Sequence, residues 1–292
     1  QWTGRWFRRA WLTPELGWLG EDPMWLEPQP WALISGTASP EQARELVRAI
    51  DELVRRPSPI GAMLHSGAVK GMESPLGVLT NAGVWPSING TLIWALAGQD
   101  GRMAWDEWRK NSLACHAEAY PEVWYGIWSG PDAYNSALSA YPGQTYFEEA
   151  RTEGTVERGG DMLPGLNWTD WPVMNMHPHA WQLYTVPKLL GVEFTPEGVS
   201  LAPSLPLMRY RFSSPLLGLW RDGSRYEGWY APARAGRWRL ALRLPPDEAA
   251  AVARVEVNGL AAEPLRDAGG AIVFSGESRP GEPLRWVVEG RR

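Results

Sequence analysis

Two kinds of hydrophobic periodicity divide the chain. Up to about residue 197, apolar residues recur every three or four positions, which is typical of amphipathic helices. The clearest case is SPEQARELVRAIDELVRR, where Ser39 suits an N-cap and Pro40 suits the first helical position. One face of this predicted helix is apolar and carries Leu46, Ile50, Leu53 and Val54.

Four further segments of this half also favour helices. EPQPWALISG and WPSINGTLIWALAG are short and apolar, so we expect both to be buried. GRMAWDEWRKNSLACHAEA predicts one amphipathic helix, and PHAWQLYTVPKLLGV predicts a helix that is interrupted or ended near Pro187. Long loops rich in Gly, Pro and aromatic residues lie between them, notably over 120–172, and such loops are usually functional.

After about Gly198 the apolar positions alternate instead. GRWRLALRL places Trp238 and three leucines on one face and arginines on the other, as in a half-exposed strand. ARVEVNGL adds an Asn258-Gly259 hairpin signal. We therefore expect a helical domain over 1–197 and an antiparallel β-sandwich over 198–292.

Composition narrows the classes of function. The chain has 292 residues, 44% of them hydrophobic and 21% charged, as in a soluble globular protein of about two domains. A net charge of -5 argues against nucleic acid, and no apolar run is long enough to span a membrane. The single cysteine, Cys115, excludes an intramolecular disulfide. The chain begins with Gln1 and shows no leader, so it is interpreted as processed, trimmed or a fragment; its localisation stays open, with the cytoplasm slightly favoured.

The chain contains 19 Trp against 5 Phe. An indole ring offers an apolar face and an N–H donor, which suits either a protein core or the C–H face of a sugar ring. No cofactor motif is present, and His177 and His179 form only a partial metal-ligand set, so neither a cofactor nor a metal is expected. His65 and His116 are interpreted as structural.

Several motifs resemble glycoside hydrolase family 94, the cellobiose and cellodextrin phosphorylases. GRWFRRAW, EPQPW, NAGVWPSING and VWYGIWSGPDA follow the order of that family's motifs and cover nearly the whole helical half. The segment around Trp85 is also similar to the wider group of (α/α)6-barrel glycosidases. The resemblance implies the C-terminal part of an (α/α)6 toroid, followed by the β domain.

The departures from the family concern its phosphate site. Ser87 stands where the family has a phosphate-binding His, Gly126 stands where it has a Gln, and MNMHPHAW has no counterpart of its Thr. Water is then the expected nucleophile, which predicts an inverting glycoside hydrolase acting on β-glucosides or gluco-oligosaccharides. One alternative is an inverting phosphorylase of the cellobiose-phosphorylase type, and another is a non-catalytic carbohydrate-binding scaffold.

A water nucleophile needs a carboxylate base. Glu122, in the aromatic loop, is the first candidate, Glu73 is the second, and Glu27 is a further alternative. Trp85 and Asn89 lie one helical turn apart and would hold a sugar ring together. The full set of predicted substrate-binding residues is Trp85, Asn89, Trp124, Trp128, Glu27, Gln29, His177 and His179.

The general acid poses a separate question. In the resembling family it is an Asp upstream of the segment that corresponds to this chain. Twelve helices of ~10–14 residues, with their loops, also need more chain than this helical half contains. We therefore expect an N-terminal barrel half, on a separate chain or on a longer polypeptide, as a partner beside the carbohydrate substrate. A fold that closes with fewer helices is the alternative, and linkage, anomer and oligomeric state stay open.

Overall fold

The computed structural model describes residues 1–72, 74–122, 132–144 and 177–291. The chain forms two compact units, Gln1–Lys188 and Leu189–Arg292. The first contains mostly helices and the second mostly strands, so the predicted order of a helical part and a β-rich part is confirmed. The division falls before the predicted 197/198 boundary because strand β3, Glu193–Thr195, forms a hairpin with β4, Gly198–Leu201.

The first unit is built from short helices. A small hairpin, β1 (Ala10–Trp11) and β2 (Trp18–Leu19), precedes them. The helices are α1 Pro28–Ile34, α2 Pro40–Ile50 with a π-helical turn Asp51–Arg55, α3 Pro86–Ala97, α4 Gly101–Lys110, α5 Leu113–Ala119 and α6 His177–Leu189. Pro187 lies inside α6, which ends at Leu189. No helix in the described part of the chain has the length and hydrophobicity needed to cross a bilayer.

Helix α2 begins as its sequence predicts. The Ser39 hydroxyl accepts a hydrogen bond from the Gln42 backbone N–H at 3.3 Å, and the Gln42 side chain accepts from the Ser39 N–H at 2.9 Å. This reciprocal capping box satisfies two N–H groups that have no partner inside the helix. Pro40 at the first helical position has no N–H to satisfy.

The prediction of one helix through 101–119 is wrong. Helix α4 ends at Lys110, and Asn111 follows as its C-cap. Ser112 caps the separate helix α5, because its hydroxyl accepts a hydrogen bond from the Cys115 N–H at 3.2 Å. The Asn111 side chain donates back to the Glu107 carbonyl oxygen at 2.8 Å. Asn and Ser side chains compete with helical backbone bonding in this way, which explains why the amphipathic pattern did not reveal the break.

Helix α3 is buried, as its apolar sequence predicts. Leu92, Ile93 and Leu96 are fully buried. At Gly90 a Cβ atom would lie 3.2 Å from the Trp181 side chain, so the missing side chain lets α6 approach closely. Helices α1 and α4 pack against α3. A helix that is covered in this way needs almost no polar face.

The second unit contains two sheets. One has six strands in the order β10-β9-β13-β7-β6-β5, and the other has five in the order β11-β12-β8-β4-β3. Helix α7, Pro246–Ala251, connects β8 to β9. The remaining strands are β5 Arg209–Ser213, β6 Leu217–Asp222, β7 Arg225–Tyr230, β8 Gly236–Leu242, β9 Val252–Val257, β10 Leu260–Ala262, β11 Leu265–Arg266, β12 Ile272–Ser278 and β13 Leu284–Gly290.

The expectation of a wholly antiparallel unit needs one correction. Strands β4 and β8 pair in parallel, with Val199 opposite Leu240. Three strands of the other sheet separate β4 from β8 along the chain, and so long a connection allows a parallel pair.

The two sheets place apolar side chains against each other. The Phe274 ring on β12 lies 5.6 Å from the Trp286 ring on β13. A Cβ atom at Gly276 would lie 2.6 Å from the Val257 side chain, so the sheets approach closely there. Burial alternates along β7 and β13, and each strand therefore has one core face and one face toward solvent.

Candidate functional site

Short extended segments place several of the predicted residues together in the first unit. The Leu26 N–H donates to the Leu64 carbonyl at 2.9 Å, and the Leu64 N–H donates to the Gly83 carbonyl at 2.8 Å. A backbone bridge joins Trp25 to His65 across the first pair of segments. Segments far apart in sequence thus meet just before α1 and α3 begin.

The central contact is an aromatic pair. The rings of Trp25 and His65 lie 4.1 Å apart, with Trp25 8% and His65 0% exposed. Within the described residues, the indole N–H and both imidazole nitrogens have no hydrogen-bond partner. Buried polar atoms usually have a hydrogen-bond partner, so three such atoms in one contact single out this pair.

An ion pair lies beside the Trp25 ring. The Arg9 guanidinium lies 4.8 Å from the Trp25 ring and forms an ion pair with Glu27, whose side chain is 45% exposed. Burial, with a smaller effect from the Arg9 charge, lowers the pKa of His65 to about 4. The imidazole is therefore neutral at neutral pH, and each of its nitrogens has a distinct donor or acceptor role. We call Arg9, Trp25, Glu27 and His65 the Trp25–His65 cluster.

The structure gives Gln29 a structural role rather than the predicted sugar contact. It is fully buried, and its amide accepts from the Phe7 N–H at 3.0 Å and donates to the carbonyls of Phe7 and Trp25 at 2.8 and 2.7 Å. Because these backbone groups occupy the amide, it has no free donor to offer a substrate. Gln29 instead fixes the backbone that carries Trp25 and Glu27.

Asn89 is likewise corrected by the structure. It is fully buried, and its Nδ2 donates to the Ala62 carbonyl at 3.1 Å and to Asn111 Oδ1 at 3.0 Å. Glu107, also 0% exposed, accepts from the Ala62 N–H, from Asn111 and from Arg55. We call these five residues the buried polar network, and Asn89 belongs to it.

The role of Trp85 as a sugar contact stays a prediction. It precedes α3, is half-buried, and its indole N–H donates to the Leu79 carbonyl at 2.9 Å. Leu79 and Ala82 both have positive φ angles, 47° and 71°, in the turn that this bond closes. Trp85 and Asn89 therefore have different hydrogen-bond partners, and Trp85 remains partly exposed.

The other predicted residues fall at or beyond the limits of the described chain. Glu122 is exposed at the end of a described stretch. Glu73, Trp124, Trp128 and Gly126 lie outside the described residues, and so do the side chains of His177 and His179, although α6 begins at His177. Among the residues that are described, no group of three His, Cys, Asp or Glu could hold a metal ion.

Sequence reasoning interpreted His65 as structural and did not include Arg9 or Trp25. Each residue is unremarkable along the chain, because no periodicity relates a position near 25 to one near 65. The motifs GRWFRRAW and EPQPW did contain Arg9 and Glu27, so the resemblance was the signal that indicated this region.

The chain is similar to solved structures of glycoside hydrolases at low sequence identity. No protein-family model and no curated protein matches the sequence. Among solved structures, a GH127 β-L-arabinofuranosidase from Geobacillus stearothermophilus T6 matches with 13% identity, 90% of this chain, 40% of that chain and a TM-score of 0.34. A second GH127 β-arabinofuranosidase matches with 13% identity and a TM-score of 0.32, over 90% of this chain and 41% of that chain. A protein described as a glycoside hydrolase matches with 12% identity and a TM-score of 0.28, over 86% of this chain and 43% of that chain.

These structural neighbours are glycoside hydrolases, and two of them belong to family 127. The chain spans about 40% of the length of the first two. With TM-scores below 0.5, the likenesses establish neither the fold nor the activity of this chain. None of the three is described as a family 94 protein, so the resemblance to that family stays a prediction.

Proposed function

We propose that this chain is part of an inverting glycoside hydrolase, with the helical unit forming the C-terminal part of an (α/α)6 barrel and the β unit a β-sandwich. Its substrates would be β-glucosides or gluco-oligosaccharides, and water would be the nucleophile. The observation that supports this best is the Arg9–Glu27 ion pair beside Trp25 and His65. It places a partly exposed carboxylate beside an indole ring, and inverting glycoside hydrolysis uses a carboxylate as its base.

Glu27 has the properties of a base or of a hydroxyl acceptor. Its carboxylate forms an ion pair with the Arg9 guanidinium. Its 45% exposed side chain still reaches solvent, and hence a nucleophilic water. The buried neighbours Trp25 and His65 limit the movement of the backbone that carries it.

Water is favoured over phosphate for two reasons. Ser87, in the first turn of α3, stands where the resembling phosphorylases have a phosphate-binding His, and a hydroxyl carries no positive charge. The Arg9 charge is already compensated by Glu27, so a phosphate dianion arriving there would meet a carboxylate. A phosphorylase of the cellobiose-phosphorylase type remains the second candidate.

The roles are assigned as follows. Glu122, Glu73 and Glu27 remain the bases proposed from the sequence, and the ion pair with Arg9 supports Glu27. Trp85, Trp124, Trp128, His177 and His179 remain proposed sugar contacts. We further propose that the general acid comes from an N-terminal barrel half, with its carboxyl ~6.5–9.5 Å from the base, as in inverting enzymes.

The test is turnover by the complete protein that contains this chain, with aryl β-glucosides and gluco-oligosaccharides. Proton NMR of the first product would show the anomeric configuration, and inversion is expected. Assays with and without phosphate separate the two candidates, because a hydrolase releases free sugar in both. A sugar 1-phosphate formed only with phosphate would establish the phosphorylase instead.

Matched variants test the base. Glu27→Gln keeps the shape of the side chain and removes its charge, and we expect kcat to fall at least about a hundredfold, the lower range for general acid–base catalysis. Glu21→Gln removes another carboxylate that pairs with an arginine in the same unit, Arg8, and should leave kcat unchanged. If only Glu122→Gln lowers kcat, Glu27 is not the base. Sugar binding without turnover would indicate the carbohydrate-binding scaffold.

A further inference from the structure

A cleft of about 450 Å³ lies in the six-stranded sheet of the β unit. Its lining includes Arg211, Trp220, Glu227, Val287 and Glu256. Each of these residues stands directly opposite the next on the neighbouring strand, so together they form one row across β5, β6, β7, β13 and β9. Volumes of ~300–1,000 Å³ are typical of small-molecule sites.

The row belongs to the face of the sheet that points away from the core. Along β7, the alternate residues Tyr226, Gly228 and Tyr230 are buried, whereas Glu227 is half-exposed. Along β6, Leu217 and Leu219 are buried and Trp220 is half-exposed. A large indole thus lies on the solvent side, where the core does not require it.

A glycine lets two indole rings pack against strand β6. A Cβ atom at Gly218 would lie 2.9 Å from the Trp220 ring and 2.3 Å from the Trp229 Nε1. Both indoles therefore lie partly over the backbone of β6. The Arg211 guanidinium lies over the Trp220 ring, 5.0 Å from its centre, and Arg211 also lines the cleft. The sequence alone favoured hairpin packing for the two tryptophans, and the structure shows that Trp220 also lines the cleft.

The polar groups of the cleft are already oriented. Glu227 accepts from Arg225 at 2.8 Å, and Glu256 is paired with Arg254, so both carboxylates are held as acceptors. The side chain of Arg285 also lines the cleft and makes no ion pair with any residue that the structure describes, which leaves its guanidinium as a donor. Acceptors and donors thus surround one aromatic surface.

The balance of charge selects the class of ligand. Glu227 and Glu256 pair with Arg225 and Arg254, which also pair with Glu289. Together with Arg211 and Arg285, four arginines and three glutamates lie in or beside the cleft, so carboxylates and guanidinium groups nearly balance there. A neutral, hydroxyl-rich ring satisfies both, because each hydroxyl donates to a carboxylate and accepts from a guanidinium, while its C–H face lies on the indole. We propose that this cleft binds a neutral saccharide, as a site separate from the Trp25–His65 cluster and independent of any hydrolytic activity.

The test is calorimetric titration of the protein with neutral tetrasaccharides, namely a β-glucan, a xylan, a mannan and an arabinan fragment, and with an oligogalacturonide as the anionic probe. At least one neutral probe should bind more tightly than the anionic one. Trp220→Ala should weaken that binding at least about tenfold, the change that ~1.4 kcal/mol produces. Glu227→Gln should weaken it as well, because the amide replaces one acceptor oxygen by a donor.

Phe194→Ala is the matched control. Phe194 is an aromatic residue of the same unit, 56% exposed on the other sheet, and its removal should leave the affinity unchanged. Glu27→Gln should also leave it unchanged, which separates this site from the proposed catalytic one. Binding to none of the neutral probes, or equal affinity in Trp220→Ala and the unmodified protein, overturns the proposal. If Trp220→Ala fails to fold, Glu227→Gln and Arg285→Ala decide the question in the same assay.

Discussion

The buried polar network offers a sharp test of how the helical unit is stabilised. Glu107, on α4, is 0% exposed and receives hydrogen bonds from Arg55 at 2.8 Å and from the Ala62 N–H at 2.7 Å. Glu107→Gln preserves the shape of the side chain. One of its oxygens is replaced by an NH2 group, which would face the Arg55 Nε–H donor.

The magnitude follows from the burial of both partners. The side chains of Arg55 and Glu107 are 3% and 0% exposed, and breaking such a buried pair costs about 3–5 kcal/mol. Arg55 retains Asp51 at 2.6 Å and Asp106 at 2.9 Å, so its charge does not stay unpaired. We therefore expect the lower end, about 3 kcal/mol, which is a large part of the ~5–15 kcal/mol that stabilises a domain.

Urea unfolding followed by circular dichroism at 222 nm measures this loss, because that signal comes mainly from the helical unit. Glu41→Gln is the control: Glu41 lies on α2, its side chain is 75% exposed, and it pairs with Arg44. Its effect should stay within about 0.5 kcal/mol, as for other surface changes. Equal shifts for the two variants would refute the view that the network stabilises this unit.

Two further predictions concern the same unit. Gly61 has a φ of +117°, and a Cβ atom there would lie 2.6 Å from Asn89 Nδ2. Gly61→Ala should therefore lower the free energy of unfolding by at least about 1 kcal/mol, measured by urea unfolding. An unchanged free energy would contradict the close packing at this glycine. The pKa of His65 is lowered from 6.5 to about 4, so its contribution to stability is complete above pH 6.5 and is lost as pH falls toward 4. His65→Phe should remove up to about 3 kcal/mol of this pH dependence, and an unchanged pH profile would refute it.

The main elements of the fold were predictable because their signals are local. Ser39 and Pro40 mark the start of α2, and the apolar sequence of α3 indicates a buried helix. The break at Asn111 was not predictable, because it depends on side chains that bond Glu107 and Asn89 in preference to continuing a helix. A helical pattern cannot show which contacts a polar side chain will find.

The candidate site was predicted less completely than the fold. Glu27 was among the sequence candidates and lies in the Trp25–His65 cluster, whereas Asn89 and Gln29 point into the protein. Asn and Gln suit a sugar site as well as they suit a buried network, because a side-chain amide forms hydrogen bonds with hydroxyls and with backbone groups alike. Only the position of their partners distinguishes the two roles.

The sequence by itself determined that a helical part precedes a strand-rich part and which face of α2 is apolar, because both depend on the spacing of neighbouring residues. The tertiary structure decided that Trp25 meets His65, that Asn89 faces Glu107 through Asn111, and that Trp220 shares a row with Glu227 and Glu256. These contacts join residues that are distant along the chain. They depend on packing and strand register, and neither is contained in the local pattern.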